Sequence, residues 1–211
     1  MLKRKVVRFN ALVLTFDDGP GSRLTPAVLD ALAESGAKAT FFLLGRNLSG
    51  REHIVRQIAK QGHEICSHGY EHLHYWKVSP IRAMRDIKRG WQAIDAALGL
   101  ENTKYIFRPP YGKLNVFCLL YLWIHRIPIV YWSIDMRDTI VPRSDPRRLA
   151  FLAKKAGGAV TLAHIFDRSD QGVNESVIQS TRLALKMAKE SGMQVLTVSE
   201  LLHKRKQLSS S

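Results

Sequence analysis

The chain of 211 residues has the length of one domain, and its hydrophobic fraction of 45% is ordinary for a protein with a packed core. Its 32 basic and 18 acidic residues leave a net charge of +14, which favours anionic partners such as acidic polymers, phospholipid head groups or nucleic acid; a solvated basic surface with no dedicated partner is the alternative. Two cysteines, Cys66 and Cys118, exclude a disulfide framework and indicate two buried thiols.

The N-terminus predicts neither an export signal nor a membrane span. Residues 1–5 contain three basic side chains, which is typical of the start of a signal peptide, but no apolar segment follows, and the chain is predicted to enter a strand almost at once. No run of about 18 apolar residues occurs, and the most apolar segment, 114–134, predicts a helix followed by a strand. A core helix is favoured there, with a membrane-surface role for residues 119–123 as the alternative. The compartment stays open: the cell envelope if a signal was trimmed, otherwise the cytoplasm.

Strand-like and helix-like segments alternate along the chain. Short apolar runs predict seven strands, at residues 11–16, 39–44, 64–67, 105–107, 129–133, 159–162 and 193–197. N-capping residues, apolar spacings of three or four and terminal glycines predict helices at 25–36, 51–61, 79–99, 145–157, 175–191 and 199–203. Such alternation predicts a parallel sheet with helices packed outside it, in one domain over residues 1–203, followed by a polar tail at 204–211 that frays.

Candidate catalytic and metal-binding residues follow the C-terminal ends of the predicted strands. Barrels of parallel strands place their active sites at these ends. The patterns are TFDDGP at 15–20, HGYEH at 68–72, RPPYG at 108–112, DMRD at 135–138 and LAH at 162–164. They supply a carboxylate pair, two histidines four residues apart, an arginine and a late histidine. The ordered set predicts a metal-dependent hydrolase that attacks an amide carbonyl.

The metal ligands are predicted from residue type and spacing. His68 and His72 are four residues apart, so on a helical turn both imidazoles would face one way. Taken alone, such a pair is more typical of surface or capping histidines, but Asp18 adds a carboxylate. Two histidines and one carboxylate hold a catalytic divalent ion and leave positions open for water. Zinc is the first choice from these ligand types, and cobalt, nickel or manganese also fit.

Asp17 and His164 are the candidates for proton transfer. With Asp18 on the metal, Asp17 is free to act as the base that takes a proton from metal-bound water, although Asp-Asp-Gly-Pro also describes a simple turn. His164 follows an apolar strand and is suited to protonating the leaving amine near neutral pH. A hydrogen-bonded core histidine is the alternative for His164.

Three further residues are candidates for supporting roles. Asp135 could orient His164 and keep it protonated, and Arg108 could hold Asp17 ionised and fixed. The backbone N–H of Tyr111 could stabilise the oxyanion of a tetrahedral intermediate together with the metal. A surface arginine in a rigid proline turn is the alternative for Arg108.

The set of motifs resembles that of the polysaccharide deacetylase family, also called the NodB-homology domain or carbohydrate esterase family 4, over residues 13–202. TFDDGP and RPPYG are specific, and residues 62–68, GHEICSH, are similar to the family's second motif. The resemblance implies an α/β fold, namely a distorted (β/α) barrel of about seven parallel strands with helices outside. It also implies removal of N-acetyl, sometimes O-acetyl, groups from amino sugars in chitin, peptidoglycan and related glycans. The residue roles it implies are Asp17 as base, Asp18, His68 and His72 as metal ligands, and His164 as acid, with Arg108 and Asp135 tuning the pair.

Three positions depart from the family pattern. Gly69 stands where Ser or Thr is common, Thr139 where Trp is usual, and Ile165 where Asp is common, but no predicted ligand or catalytic group is lost. The resemblance implies that Gly69 removes a supporting hydrogen bond and so weakens metal affinity, and that Thr139 leaves the substrate range open.

Two other functions remain in competition with glycan deacetylation. One is deacylation or deformylation of a lipid-linked amino sugar, which the basic charge and apolar residues 119–123 would suit. The other is a catalytically inactive glycan- or nucleic-acid-binding module, which the charge alone supports. The predicted partners are an N-acetylated glycan, with peripheral contact to an anionic membrane or cell-wall polymer, and no specific nucleic acid.

Overall fold

The computed structural model describes residues 2–99, 105–138, 145 and 147–207. Within these residues, seven short β-strands and eight α-helices alternate along most of the chain. The strands are β1 (Ala11–Val13), β2 (Thr15–Asp17), β3 (Thr40–Leu43), β4 (Glu64–Ser67), β5 (Ile134–Asp135), β6 (Ala159–His164) and β7 (Gln194–Val195). The helices are α1 (Leu2–Arg8), α2 (Leu24–Ala33), α3 (Glu52–Lys60), α4 (Pro80–Leu98), α5 (Val116–Ile124), α6 (Arg147–Ala156), α7 (Gln171–Glu190) and α8 (Val198–Gln207). Single 3₁₀ turns occupy Gly45–Asn47 and Pro110–Gly112.

All strand pairs are parallel, as the βα alternation predicts, and the strand order is β4-β3-β2-β6-β1-β7 with β5 also paired to β6. Two isolated parallel bridges, Ser67 to Phe107 and Phe107 to Ile129, continue the sheet beyond β4. Because residue 129 leads into β5, these bridges connect β4 back to β5 and close an irregular ring. The strands β1 and β7 branch away from that ring, which makes the barrel distorted as the family resemblance implies.

Several predicted strands are shorter than the sequence indicates. Residues 11–16 form two strands separated at Leu14, and the segments 105–107 and 129–133 contribute one bridge residue each. Prolines explain the short pairing around Phe107, because Pro109 and Pro128 lack the N–H that a longer ladder requires.

The two ends of the chain differ from the sequence prediction. The first strand begins at Ala11 as predicted, but residues 2–8 before it, for which no element was predicted, form helix α1. Leu2 and Val6 are four residues apart and both turn inward, while Lys3 and Arg4 are exposed, which is helical spacing. Helix α8 extends to Gln207, so the first part of the predicted polar tail is helical, and residues 208–211 lie outside the described residues.

The interior has two apolar clusters. The larger one lies between the sheet and the surrounding helices. The smaller one includes Val13, Phe42, Cys66, Val130 and Val160, which come from different segments of the sheet and fill the inside of the ring. Both cysteines are free and buried, as predicted. Among the described residues, no helix combines the length and apolar character needed to span a bilayer.

Candidate active site

The three predicted metal ligands converge at the C-terminal ends of β2 and β4. Asp18 follows β2, and His68 follows β4. The ligand atoms of Asp18, His68 and His72 all lie within 4.8 Å of one another. The Oδ1 atom of Asp18 is 3.6 Å from Nε2 of His68 and 3.4 Å from Nε2 of His72. The predicted helical turn is wrong: residues 68–72 form a loop in which Gly69 and His72 both have positive φ angles, so the loop brings the two histidines together.

The chemistry of these atoms fits a divalent cation. The Nδ1 atom of His68 is 2.7 Å from the carbonyl oxygen of Arg108, which can only accept, so the neutral tautomer that fits this contact has its proton on Nδ1 and a lone pair on Nε2. Oδ1 of Asp18 is buried and receives no hydrogen bond from the described residues. Burial lowers the pKa of His72 to about 4 against the opposing charge of Asp18, so its imidazole is neutral, as metal ligation requires. Oδ1 of Asp18 and the Nε2 atoms of the two histidines then face one another with their lone pairs, which is an arrangement that suits a bound cation.

A buried carboxylate on α4 supports the loop that carries His72. Asp86 accepts hydrogen bonds from the backbone N–H of Tyr70 at 3.0 Å and of Glu71 at 2.9 Å. The hydroxyl of Tyr75 donates to the same carboxylate at 2.6 Å. Asp86 and Tyr75 are both buried, so these contacts are shielded from solvent. Helix α4 therefore contributes to holding the chain between the two histidines in its path.

Asp17 is held by a buried arginine. Nη1 of Arg108 lies 2.7 Å from Oδ1 of Asp17 and 2.6 Å from the hydroxyl of Thr15, and Nε donates to the carbonyl of Val130. The guanidinium carbon lies 4.1 Å from the centre of the Phe42 ring. The whole side chain is buried inside the ring, so the surface-arginine alternative is wrong. The second oxygen, Oδ2 of Asp17, is turned to the metal ligands, 3.7 Å from Nε2 of His68.

His164 lies beside Asp17 because β2 and β6 pair with these two residues in register. Its Nδ1 atom is 2.9 Å from Oδ1 of Asp138, and its backbone N–H donates to Oδ2 of the same residue. Arg168 donates to Oδ2 of Asp138 at 2.8 Å. Burial disfavours the charged imidazole, but the hydrogen bond and negative charge of Asp138 outweigh it, so the pKa of His164 lies above its usual value.

The structure corrects the residue that orients His164. Asp135 was expected in that role, but its carboxylate accepts a hydrogen bond from the backbone N–H of Arg137 at 2.7 Å. Arg137 has a φ of 60°, which turns the chain so that the carboxylate of Asp138 faces the histidine. Asp135 and Asp138 both belong to the DMRD pattern. The pattern therefore predicts a carboxylate near His164, but its spacing does not indicate which of the two points inward. Arg168 was not singled out from the sequence, because no motif marks it.

The comparison with protein families agrees with these motifs. The model for the polysaccharide deacetylase family matches residues 4–121, more than half of the chain. The chain belongs to the polysaccharide deacetylase family.

Individual relatives carry more specific names. The chain is 30% identical over 197 residues to a peptidoglycan-N-acetylglucosamine deacetylase of Listeria monocytogenes, covering 93% of this chain and 40% of the relative. It is 34% identical over 154 residues to a chitooligosaccharide deacetylase of Sinorhizobium fredii, covering 73% and 71%. The crystal structure of the Bc1960 peptidoglycan N-acetylglucosamine deacetylase with a bound N-hydroxybenzamide superposes with a TM-score of 0.81 at 28% identity, covering 91% of this chain and 87% of that one. The chain thus spans about two fifths of the length of the Listeria protein.

In this member of the family, the departure at Gly69 has a steric cause. A Cβ atom there would lie 2.2 Å from the hydroxyl oxygen of Tyr75 and 2.8 Å from Oδ2 of Asp86, and the φ of Gly69 is +86°. Asp86 and Tyr75 therefore occupy the space into which a Ser or Thr side chain would project. Ile165 is fully buried, and its side chain fills the space beside Gly19. Thr139, the third departure, lies outside the described residues.

Aromatic rings border the predicted metal ligands of this family member. The Tyr111 ring stacks on His74 with centroids 3.9 Å apart, and its centroid is 4.5 Å from that of His72. Trp76 meets both Tyr111 and His74 edge-on, and the ammonium of Lys113 lies 5.0 Å from the centre of the Trp76 ring. Tyr111 is half exposed and has a φ of 58°. The oxyanion role expected for its backbone N–H stays a prediction.

Proposed function

We propose that the protein is a metal-dependent hydrolase that removes N-acetyl groups from amino-sugar glycans of the chitin-oligosaccharide or peptidoglycan type. The observation that carries the proposal is the pairing of Asp17 with His164 on adjacent strands, directly beside the Asp18, His68 and His72 cluster. A base, an acid and three cation ligands thus surround one small space. The names of the relatives, which are deacetylases of peptidoglycan and of chitooligosaccharides, supply the substrate class.

The cation would supply the electrophilic chemistry. A divalent ion held by Asp18, His68 and His72, with zinc as the first choice, would polarise the acetyl carbonyl and increase the acidity of a neighbouring water molecule. Each ligand is held by a hydrogen bond from outside the site. The carbonyl of Arg108 accepts from the ring of His68, and the carboxylate of Asp86 on α4 accepts from the loop that carries His72. The side-chain amide of Asn47 donates to the backbone carbonyl of Asp18 at 2.7 Å.

Asp17 acts as the general base. Arg108 binds one of its oxygens, which fixes the orientation of the carboxylate. The other oxygen faces the cation site and accepts the proton of the attacking water.

His164 acts as the general acid. The raised pKa keeps its imidazolium form available near neutral pH, so that Nε2 donates a proton to the departing sugar nitrogen. Asp138 accepts from Nδ1 and thereby fixes the ring orientation. The Tyr111 backbone N–H is proposed as a donor to the oxyanion of the tetrahedral intermediate.

The test is acetate release from a short N-acetylglucosamine oligomer by metal-stripped protein before and after addition of zinc or cobalt. We expect release only with metal. His68→Ala should lose both binding and release, because it removes a ligand. Asp17→Asn should retain stoichiometric metal binding but lose about 10²–10⁴-fold in rate, because an amide cannot accept the proton.

Two exposed residues provide matched controls. Asp30→Asn and His53→Ala make the same chemical changes on α2 and α3 and should leave release unchanged. Full activity in Asp17→Asn would refute the base assignment. No release from the oligomer despite stoichiometric metal binding would refute deacetylation of soluble glycans and favour the lipid-linked amino sugar or the inactive binding module.

A further inference from the structure

Helix α5 presents an apolar face to solvent. The sequence favoured a core helix here, yet only Cys118 and Leu122 of its nine residues are buried. Six apolar side chains of α5 are exposed: Trp123 by 75%, Val116 by 68%, Ile124 by 59%, Phe117 by 56%, Leu120 by 50% and Leu119 by 43%. No charged residue interrupts the helix. A contiguous apolar face of this kind on a folded domain indicates a site of interaction with a membrane or with another protein.

The segment of sequence that contains α5 carries charges of one sign only. Residues 105–134 contain no aspartate or glutamate. Arg108 is buried in the ring, but Lys113 before α5 and Arg126 after it are exposed, so a cation stands near each end of the apolar face. An occupant of this surface must therefore combine apolar groups with negative charge.

We propose that α5 docks the protein onto the surface of an anionic lipid bilayer. Acyl chains would receive the apolar side chains, and acidic head groups would pair with Lys113 and Arg126. The exposed indole of Trp123 suits the head-group level, where amphipathic rings concentrate. A second copy of the chain is disfavoured as the occupant, because it would bring together two proteins of charge +14 through a segment, 105–134, that contains no acidic residue.

The docking helix is structurally linked to the active site. The side chain of Asn115, which caps α5 through the N–H of Cys118, also donates to the carbonyl of Tyr75 at 2.7 Å. Tyr75 in turn contacts Asp86, which supports the loop of His72. Lys113 contacts the ring of Trp76 at the border of the site. Docking therefore places the active-site rim at the membrane surface, within reach of amino sugars attached there; this consequence rests on the proposed function, whereas docking itself does not.

Vesicle sedimentation tests the docking. We expect the protein to sediment with vesicles of phosphatidylcholine and phosphatidylglycerol but not with vesicles of phosphatidylcholine alone. The double variant Phe117→Ser/Trp123→Ser should reduce the partition coefficient by about ten-fold or more, since it removes two large apolar contacts. Phe151→Ser is the matched control, because Phe151 is an aromatic residue on α6 that is 64% exposed. All three positions are exposed, so thermal unfolding should confirm that both variants fold.

A second measurement separates insertion from charge attraction alone. Lipids with brominated acyl chains should quench the tryptophan fluorescence of the wild-type protein, and Trp123→Phe should retain sedimentation but lose most of that quenching. Equal sedimentation of the wild type and the Phe117→Ser/Trp123→Ser variant, abolished by salt, would overturn the proposal in favour of charge attraction alone. Absence of sedimentation would also overturn it. A dimer in light scattering that dissociates in the double variant would assign the surface to a second copy instead. None of these outcomes depends on acetate release.

Discussion

At the scale of single residues, Asp138 controls the protonation of His164. Asp138→Asn removes the negative charge that raises the pKa of His164, while burial still disfavours the imidazolium. We therefore expect the pKa of His164 to fall and the alkaline limb of the kcat/KM profile to move to lower pH. The measurement is an NMR titration of His164 in the metal-free protein, followed by the pH profile of acetate release by the metal-loaded protein.

Asp138→Asn is also predicted to remove a pH-dependent contribution to the free energy of unfolding. Because the folded-state pKa of His164 lies above its unfolded value of about 6.5, the pair with Asp138 stabilises the fold below that pH. The stabilisation is lost as the pH rises through the raised pKa.

Asp135→Asn is the control for both predictions and should shift neither the titration of His164 nor the kcat/KM profile. The reverse result, a shift with Asp135→Asn alone, would restore the assignment made from the sequence.

Residue identities in the site were largely predictable, and one orientation was not. Asp17, Asp18, His68, Arg108 and His164 lie at or directly after strand ends, so the order of the motifs was enough to bring them together. Asp135 and Asp138 are three residues apart after β5, and the left-handed conformation of Arg137 decides which of them faces His164. No spacing rule predicts a non-glycine residue with positive φ.

At the scale of elements, α4 organises the loop between the histidines. Asp86→Asn replaces one accepting oxygen by an amide donor, which leaves one of the two loop N–H groups unpaired. We expect metal affinity about ten-fold weaker, because the loop no longer holds His72 in place. Isothermal titration of the metal-free protein with zinc measures this change.

A matched variant distinguishes loop support from general damage to the core. Tyr75→Phe removes one donor to Asp86 but keeps the ring in place and leaves both backbone hydrogen bonds intact. Its metal affinity should change less than that of Asp86→Asn. If both variants bind zinc like the wild type, α4 has no positioning role.

The helices were easier to predict than the strands. Helix α4 begins and ends as its cap residues indicate, with the Ser79 hydroxyl accepting from the N–H of Arg82 and Gly99 in a left-handed conformation. The ring closes through single residue pairs at Phe107 and Ile129, which an apolar run cannot distinguish from a full strand. Helix α1 was not predicted, because in seven residues only Leu2 and Val6 face inward. Two apolar residues are too few to show the helical periodicity of hydrophobic residues.

At the scale of the whole molecule, the two ends of the strands have separate tasks. The C-terminal ends carry the candidate active site. At the opposite end, Glu64 at the start of β4 accepts from the hydroxyl of Thr40 at 2.6 Å and from the N–H groups of Val198 and Ser199 at 3.0 and 3.2 Å. This buried carboxylate therefore attaches the first turn of α8 to the sheet, where it also faces the positive end of the helix dipole.

Glu64→Gln tests that separation. The amide lacks the charge at the helix terminus and has one accepting oxygen for three donors, so we expect the free energy of unfolding to fall by about 1–3 kcal/mol. Urea denaturation measures this loss. Zinc affinity of the folded variant should match the wild type, because Glu64 is at the other end of β4 from His68. Asp86→Asn should change zinc binding instead, so the pair of variants assigns one effect to each end of the strands. Weakened zinc binding in Glu64→Gln, measured well below its unfolding midpoint, would show that the attachment of α8 also sets the geometry of the active site.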